Sequence, residues 1–261
     1  MTSTLLWLGV IVLFPIGGLL LRAARIGPAD VWRIATEPRL FAALKLSFGL
    51  AFLAACCSVL IGGLIAWTLT RYEFPGRRLL DGAIDLPFAL PTAVAGIALT
   101  ALYAPNGWFG APLSALGLQV SYTRLGIFIA LLFIGMAFVV RTLQPVLAEA
   151  EADIEEASAT LGATRWQTIA RVILPPLAPA ALTGLALSFA RGVGEYGSVI
   201  FIAGNVPFAT EIAPLLVVSR LEEFDEASAT VIATVMLLAS FLILLAINLL
   251  QAGTRRRLGH V

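Results

Sequence analysis

Long runs without a charged residue, separated by short charged stretches, leave this 261-residue chain few ways to fold. The runs are Leu5 to Leu21, Leu46 to Leu69, Leu86 to Tyr122, Leu125 to Val140, Leu177 to Ala190 continuing past two charges to Phe208, and Ala227 to Ala252. About 20 apolar helical residues cross a hydrocarbon core roughly 30 Å thick. Inside it every backbone polar group must be paired, so only helices and closed barrels span. Barrel strands alternate apolar and polar residues, which these continuous runs do not. A soluble fold would also need more polar surface than a chain with 59% hydrophobic and 13% charged residues can provide. The third run exceeds one span, and the turn signals Pro105-Asn106-Gly107 and Gly110-Ala111-Pro112 place a loop after Tyr103. The expectation is an all-α membrane protein with six transmembrane helices. Residues 1–39 hold the first helix and an outer loop, 40–252 the transmembrane core, and 253–261 a basic tail. The first run lacks a basic leading region and a small-x-small cleavage site before Arg22, so it is expected to stay as a helix.

Six spans put both termini on one side, together with the loop between spans four and five. Positive residues favour the cytoplasm. Arg71, Arg77, Arg78, Arg141, Arg165, Arg171 and Arg255 to Arg257 make nine on the terminal side, against six (Arg22, Arg25, Arg33, Arg39, Arg124, Arg220) on the other. Both termini are therefore expected in the cytoplasm, with the Arg255 to Arg257 triplet abutting the last span as the strongest signal. The four arginines of the first outer loop run against this rule.

The loop between spans four and five, about 149–175, is too polar for lipid. Five of the eight residues from Glu149 to Glu156 are acidic, on an alanine-rich helix-forming background. Gly162 ends that helix, because glycine accepts the left-handed conformation that turns the chain. Thr164 and Gln167 then have the spacing of a capping box that starts a second helix. Trp166, Ile169, Ala170 and Ile173 give it one apolar face, and Pro175-Pro176 are expected to stop it before span five. The product is an L-shaped elbow. Its pattern fits either a grip for a soluble partner or a helix that tiles headgroups. The acidic first arm favours a protein partner, since an anionic leaflet repels it.

No phosphate-binding glycine loop, no Cys/His metal spacing and no Ser/His/Asp set stands out, so no metal, cofactor or catalytic site is expected in this chain, and no nucleic-acid partner. Cys56 and Cys57 are adjacent on a helix and read as packing residues; His260, alone in the tail, carries no ligand role. Arg191 and Glu195 are the charges inside span five and share a face at i and i+4. At about 1.5 Å per residue they fall in the outer half of the span. Two readings stay open: Arg191 lines an anion route with Glu195 orienting it, or the two form a structural pair or gate. Lys45, near the outer end of span two, can reach the interface by stretching its stem. The glycines from Gly192 to Gly197 allow close helix approach or a broken helix.

The string Glu156-Ala157-Ser158-x3-Gly162-x9-Val172-x-Leu174-Pro175 resembles the EAA loop of ABC importer permeases, with Ser158 and Val172 departing from Ala and Ile. Further strings are similar to the sulfate/thiosulfate permeases of T or U type. They are Arg71-Tyr72-Glu73-Phe74-Pro75-Gly76-Arg77, Asp85-Leu86-Pro87 to Gly96, Gly194-Glu195-Tyr196-Gly197, Ile200 to Asn205, Glu211, and Arg220 to Asp225. Molybdate permeases share the Gly-Glu-aromatic-Gly string. The resemblance implies a type I importer permease fold in the bacterial inner membrane, moving sulfate and thiosulfate inward as a non-catalytic subunit. It implies a W-type permease partner, two cytoplasmic ATPases that bind ATP and Mg, and a periplasmic sulfate/thiosulfate-binding protein. The coupling loop would comprise Glu156, Ala157, Ser158, Gly162, Ala163, Thr164, Leu174 and Pro175, and the route or gate Arg191, Glu195, Tyr196 and Lys45. A molybdate/tungstate permease is the nearest alternative; an ATPase-independent anion carrier or a membrane enzyme is the alternative from another class.

Overall fold

The computed structural model describes residues 6–7, 9–149 and 152–257, and all regular structure among them is helical. Glu151 of the elbow and His260 of the tail lie outside the described residues. A π-helical turn, Gly9–Leu13, leads into α1 (Phe14–Ala24), followed by α2 (Pro28–Ala35), α3 (Pro38–Arg71), α4 (Arg77–Ile84), α5 (Thr92–Tyr103) and α6 (Arg124–Glu149). Then come α7 (Ala152–Thr160), α8 (Arg165–Val193), α9 (Val199–Ala203), α10 (Ala213–Glu222) and α11 (Glu226–Arg257). Pro28 and Pro38 open α2 and α3, where a missing N–H and a fixed φ suit the first turn.

Four of these helices are long and apolar enough to cross a bilayer: α3, α6, α8 and Glu226–Leu249 of α11. The N-terminal segments Gly9–Ala24 and Pro28–Ala35 pass the same test only as a pair, bent by 106°. The third expected span is shorter than the sequence suggests. Pro91 holds Leu90 extended (φ −82°, ψ 135°), so a stub at Leu86–Ala89 stops and α5 restarts at Thr92. Its 12 residues cover about 18 Å at 1.5 Å per residue, less than a hydrocarbon core.

The centre of the bundle is α3, α6 and α8, which pack on one another through small residues. A Cβ on Gly62 or on Gly184 would lie 3.2 Å from Val139, and one on Gly135 would overlap the hydroxyl of Ser188. Between lipid-bathed helices, such close backbone approach supplies the contact area that association requires. Towards the elbow, Ala66 and Leu69 meet Val140, Leu143 and Leu147. Towards the opposite end, Ala51 and Ala55 meet Ile127, Leu131, Phe189 and Val193, while Leu40, Leu216 and Ile232 join α3 to α10 and α11.

That opposite end is laced by ion pairs. Nε and Nη2 of Arg39 donate to the two carboxylate oxygens of Glu211, at 2.8 and 2.7 Å, and Arg220 reaches Glu37 at 2.7 Å. Arg22 pairs with Glu226, and Arg33 with Asp30 at 3.1 Å. Three of the four arginines that run against the charge rule are thus bound to carboxylates on their own side.

Candidate functional site

The elbow is formed as its sequence dictates. Gly162 adopts φ +83°, and the amides of Gly162 and Ala163 donate to the carbonyls of Ala159 (3.0 Å) and Ser158 (3.1 Å). This paired pattern satisfies the last carbonyls of α7 while the chain turns. The capping box is complete: the Gln167 amide donates to the Thr164 hydroxyl at 3.3 Å, and the Thr164 amide to the Gln167 side chain at 2.9 Å. A hydroxyl pair, Ser158 to Thr168 at 2.8 Å, fastens the two arms together. Glu156, Ala157, Gly162 and Thr164 face outward, Ser158 and Ala163 are half-buried, and Leu161 at the bend is 88% exposed.

One expectation about the second arm is corrected. Pro175 and Pro176 do not end it: the helix runs without a stop from Arg165 to Val193. The turn Ile169–Ile173 winds as a π-helix, and both prolines enter at the start of the α-helical segment that follows, where absent N–H groups leave few bonds unmade. Leu174, half exposed, and the half-buried Pro175 therefore belong to α8 itself. The residues of the apolar face, Trp166, Ile169, Ala170 and Ile173, differ in exposure. Ile173 is buried and Ile169 partly so, while Trp166 and Ala170 are exposed.

At the far end of α8 the helix breaks. It is capped at Gly194, and Glu195 lies beyond it rather than inside span five. The Arg191 guanidinium meets the Glu195 carboxylate at 2.5 Å, with side chains 35% and 1% exposed. The other Glu195 oxygen accepts from both the amide and the hydroxyl of Ser198, each at 2.8 Å. Both oxygens of Glu195 are therefore engaged, whereas Arg191 pairs with it through one nitrogen. The backbone passes close here, since a Cβ on Gly96 would overlap the Ser198 carbonyl. Tyr196 instead joins an apolar pocket with Leu19, Pro214, Val217 and Met236. Lys45 is exposed on α3 and has no ion pair among the described residues.

The sequence reading missed three participants. Ser198 holds Glu195, and its only signal was its place after the glycine-rich string. Arg71, at the end of α3, reaches Glu155 of α7 at 2.7 Å and lies over the ring of Trp67 at 5.5 Å, tying the elbow to a second spanning helix. Arg141 of α6 places all five N–H groups. Nε and one Nη2 hydrogen grip Asp85 at 2.7 Å each; Nη1 reaches Asp81 (2.8 Å) and Gln144 (2.6 Å); the other Nη2 hydrogen reaches the Asp81 carbonyl at 2.7 Å. Gln144 also donates to Asp81 at 2.9 Å. That bond first, and Arg141 second, holds the Asp81 carboxyl below its ordinary range.

The family described as "Binding-protein-dependent transport system inner membrane component" matches residues 58–260. The chain is 51% identical over 256 residues to a "Probable sulfate transport system permease protein cysT" of Nephroselmis olivacea, covering 98% of this chain and 90% of the relative. It is 49% identical over 259 residues to a "Sulfate transport system permease protein CysT" of Escherichia coli K12, covering 99% and 94%. Among solved structures, a chain of a bacterial ABC transporter for the acidic polysaccharide alginate superimposes with a TM-score of 0.76 at 16% identity, over 98% of this chain and 93% of that one. A chain of the methionine ABC transporter MetNI does so with a TM-score of 0.64 at 14% identity, over 88% and 99%.

Proposed function

The chain belongs to the binding-protein-dependent transport system inner membrane components, and from that premise we propose that it is the permease subunit that carries sulfate through the membrane in an ATP-driven importer. Thiosulfate shares the tetrahedral dianionic shape and is taken as a second substrate. The ATP and Mg are bound by two cytoplasmic ATPase subunits, and this chain performs no hydrolysis itself. A W-type permease completes the pore and a periplasmic binding protein delivers the anion. The elbow and both termini face the cytoplasm.

The observation that carries this reading is the unbroken helix from Arg165 to Val193. It begins at the elbow and carries Arg191 in its last turn, so one rod of about 39 Å, at 1.5 Å per residue, joins the point of grip to the ion pair. Glu156, Ala157, Ser158, Gly162, Ala163 and Thr164 present the bend to the ATPase; Leu174 and Pro175 seat it on α8. ATP binds the closed ATPase dimer better than the open one, and that differential affinity is the energy that moves the elbow.

The Arg191 side chain is a third exposed. Contact of a guanidinium with hydrocarbon is costly, so in this reading its face of α8 is set against an aqueous path or the companion permease. Its unspent N–H groups suit the oxygens of a dianion, and Glu195, locked on Ser198, keeps it aimed. Tyr196 and Lys45 lie outside this pair and are not assigned an anion contact. The test is uptake of labelled sulfate by vesicles holding the complete complex, with molybdate as competitor. Losing a charge-assisted hydrogen bond costs about 1.5–3 kcal/mol, so Arg191→Gln should lower uptake at least about tenfold while ATP hydrolysis persists. Normal uptake by that variant removes Arg191 from the route, and preferential inhibition by molybdate overturns the choice of sulfate.

A further inference from the structure

Beyond Arg71, the string from Tyr72 to Arg77 has no part in the elbow or in the pair at Arg191, yet it frames two cavities that meet. A charged one of about 950 Å³ is lined by Glu73, Arg77, Arg78, Asp81 and Gln144. An apolar one of about 380 Å³ is lined by Leu64, Leu80, Ala83, Phe133 and Met136. Leu69 and Phe74 wall both. Along α3 the charged cavity reaches Thr70 and the apolar one Leu64, about 9 Å deeper at 1.5 Å per residue; along α6 they reach Gln144 and Met136, about 12 Å apart. Charge at the ends of two spanning helices, with an apolar slot opening below it, matches the two halves of a membrane amphiphile.

The wall between the cavities is α4. Arg77, Arg78 and Asp81 border the charged side, and Leu80, Ala83 and Ile84, at helical spacing, border the apolar side. Arg141 fixes this wall by gripping Asp81 and Asp85. The charges balance here: Arg77, Arg78 and Arg141 stand against Glu73, Asp81 and Asp85, while Arg71 is taken up by Glu155. An anionic lipid therefore gains nothing from net attraction. Glu73, Arg77 and Arg78, however, make no ion pair among the described residues. The two arginines also open α4, where the helix dipole disfavours cations. Two unpaired cations and one unpaired carboxylate around one cavity suit a ligand that carries both signs.

We propose that this double cavity seats a phospholipid with a primary-amine headgroup, a phosphatidylethanolamine. Its phosphodiester lies against Arg77 and Arg78, its ammonium against Glu73, and one acyl chain fills the slot along Leu64, Leu80 and Met136. Guanidinium forks match phosphate oxygens, and a primary ammonium donates hydrogen bonds to a carboxylate that a quaternary one cannot. The seated chain packs α4 onto α3 and α6 where the protein alone leaves space. The seat needs only that α3 and α6 cross the bilayer, so it goes beyond the importer reading.

The purified complex is placed in phosphatidylcholine nanodiscs doped with phosphatidylethanolamine that carries a diazirine in one acyl chain, and the cross-linked peptides are mapped. Labelling is expected on the stretches 64–69 and 133–137. Matched probes with choline or glycerol headgroups should label them about fivefold less, the worth of a partly exposed ion pair. Arg77→Gln combined with Arg78→Gln should lower labelling by the ethanolamine probe about as much. The thermal midpoint should not fall, because both cations leave an unfavourable helix end. Glu73→Gln should abolish the preference for ethanolamine over choline. Ala83→Phe, which plugs the slot from an exposed position of α4, should reduce labelling by all three probes. The seat is refuted if both stretches stay unlabelled in the wild type, as they would beneath another subunit, or if Ala83→Phe leaves labelling unchanged. Headgroup recognition is refuted if the glycerol probe labels as well as the ethanolamine one, or if the glutamine variants keep the wild-type preference.

Discussion

Replacing Gly162 tests whether the bend of the elbow is a backbone property. A Cβ there meets no heavy atom within 4 Å, so alanine adds no clash within the chain and only the φ of +83° opposes it. An L-residue in the left-handed region costs roughly 1–2 kcal/mol. Part of that is returned because alanine orders the unfolded segment by about 0.4–1 kcal/mol. The net is about 1 kcal/mol, or roughly a fivefold fall in the equilibrium constant that favours the bent form. Asparagine, which tolerates this conformation, should lose less, and valine, branched at Cβ, should lose more. The assay is the ratio of anion imported to ATP hydrolysed by the reconstituted complex. The expected order of that ratio is wild type, then Gly162→Asn, Gly162→Ala and Gly162→Val. Should Asn prove as damaging as Ala, or Ala behave as wild type, the backbone explanation fails and contact with the partner must account for the glycine.

Arg141→Lys replaces five directed donors by three at one point, and should lower the thermal midpoint of the complex by an amount worth about 1–2 kcal/mol, discounted because Asp81 and Asp85 are well hydrated. Gly135→Ala drives a methyl group into the Ser188 hydroxyl and should cost about 1–3 kcal/mol. Adding Ser188→Ala should recover part of that midpoint, while Ser58, whose hydroxyl would also lie 3.0 Å from the new carbon, limits the recovery. The hydroxyl of Ser228, then its amide, holds the Asp225 carboxyl below its ordinary value of 3.8. Its folded pKa being the lower one, the stabilisation is complete above about pH 4 and is lost as pH falls through the folded value. Amide exchange at the start of α11 between pH 6 and 3 should show this acid limb, and Asp225→Asn, still able to cap, should flatten it.

Local rules explain what the sequence disclosed. Charge-free runs become α3, α6, α8 and α11 because a bilayer accepts little else. The Thr164–Gln167 box and the Gly162 turn were legible since each is settled within a few residues. Pro175-Pro176 misled because the proline rule concerns an α-helix, and one π-turn upstream changes which N–H groups are needed. Glu195 misled because i and i+4 contact is compatible with a helix that has already ended at Gly194. The long-range pairs were invisible for a different reason. Arg39 and Glu211, 172 residues apart, meet only once packing has fixed the azimuth of α3, and no periodicity encodes that angle. The same applies to Arg71 with Glu155 and to Arg141 with Asp81 and Asp85.

Those pairs bear on where motion occurs. A handle that moved one helix of a loose bundle would lose its displacement as slippage between helices. Here α8 is continuous with the elbow, α3 is tied to it through Arg71 and Glu155, and α6 is clamped to α4 by Arg141. At the opposite end Arg39 and Arg220 bind α3 and its approach to α10 and the segment before it. The glycine contacts between α3, α6 and α8 leave no slack for sliding, because close-packed interfaces switch between discrete arrangements rather than deform gradually. In the importer reading proposed above, a displacement of the elbow would move this helical core as one body, and the surface that opens and closes would be the one the core presents to another subunit on the Arg191 side of α8.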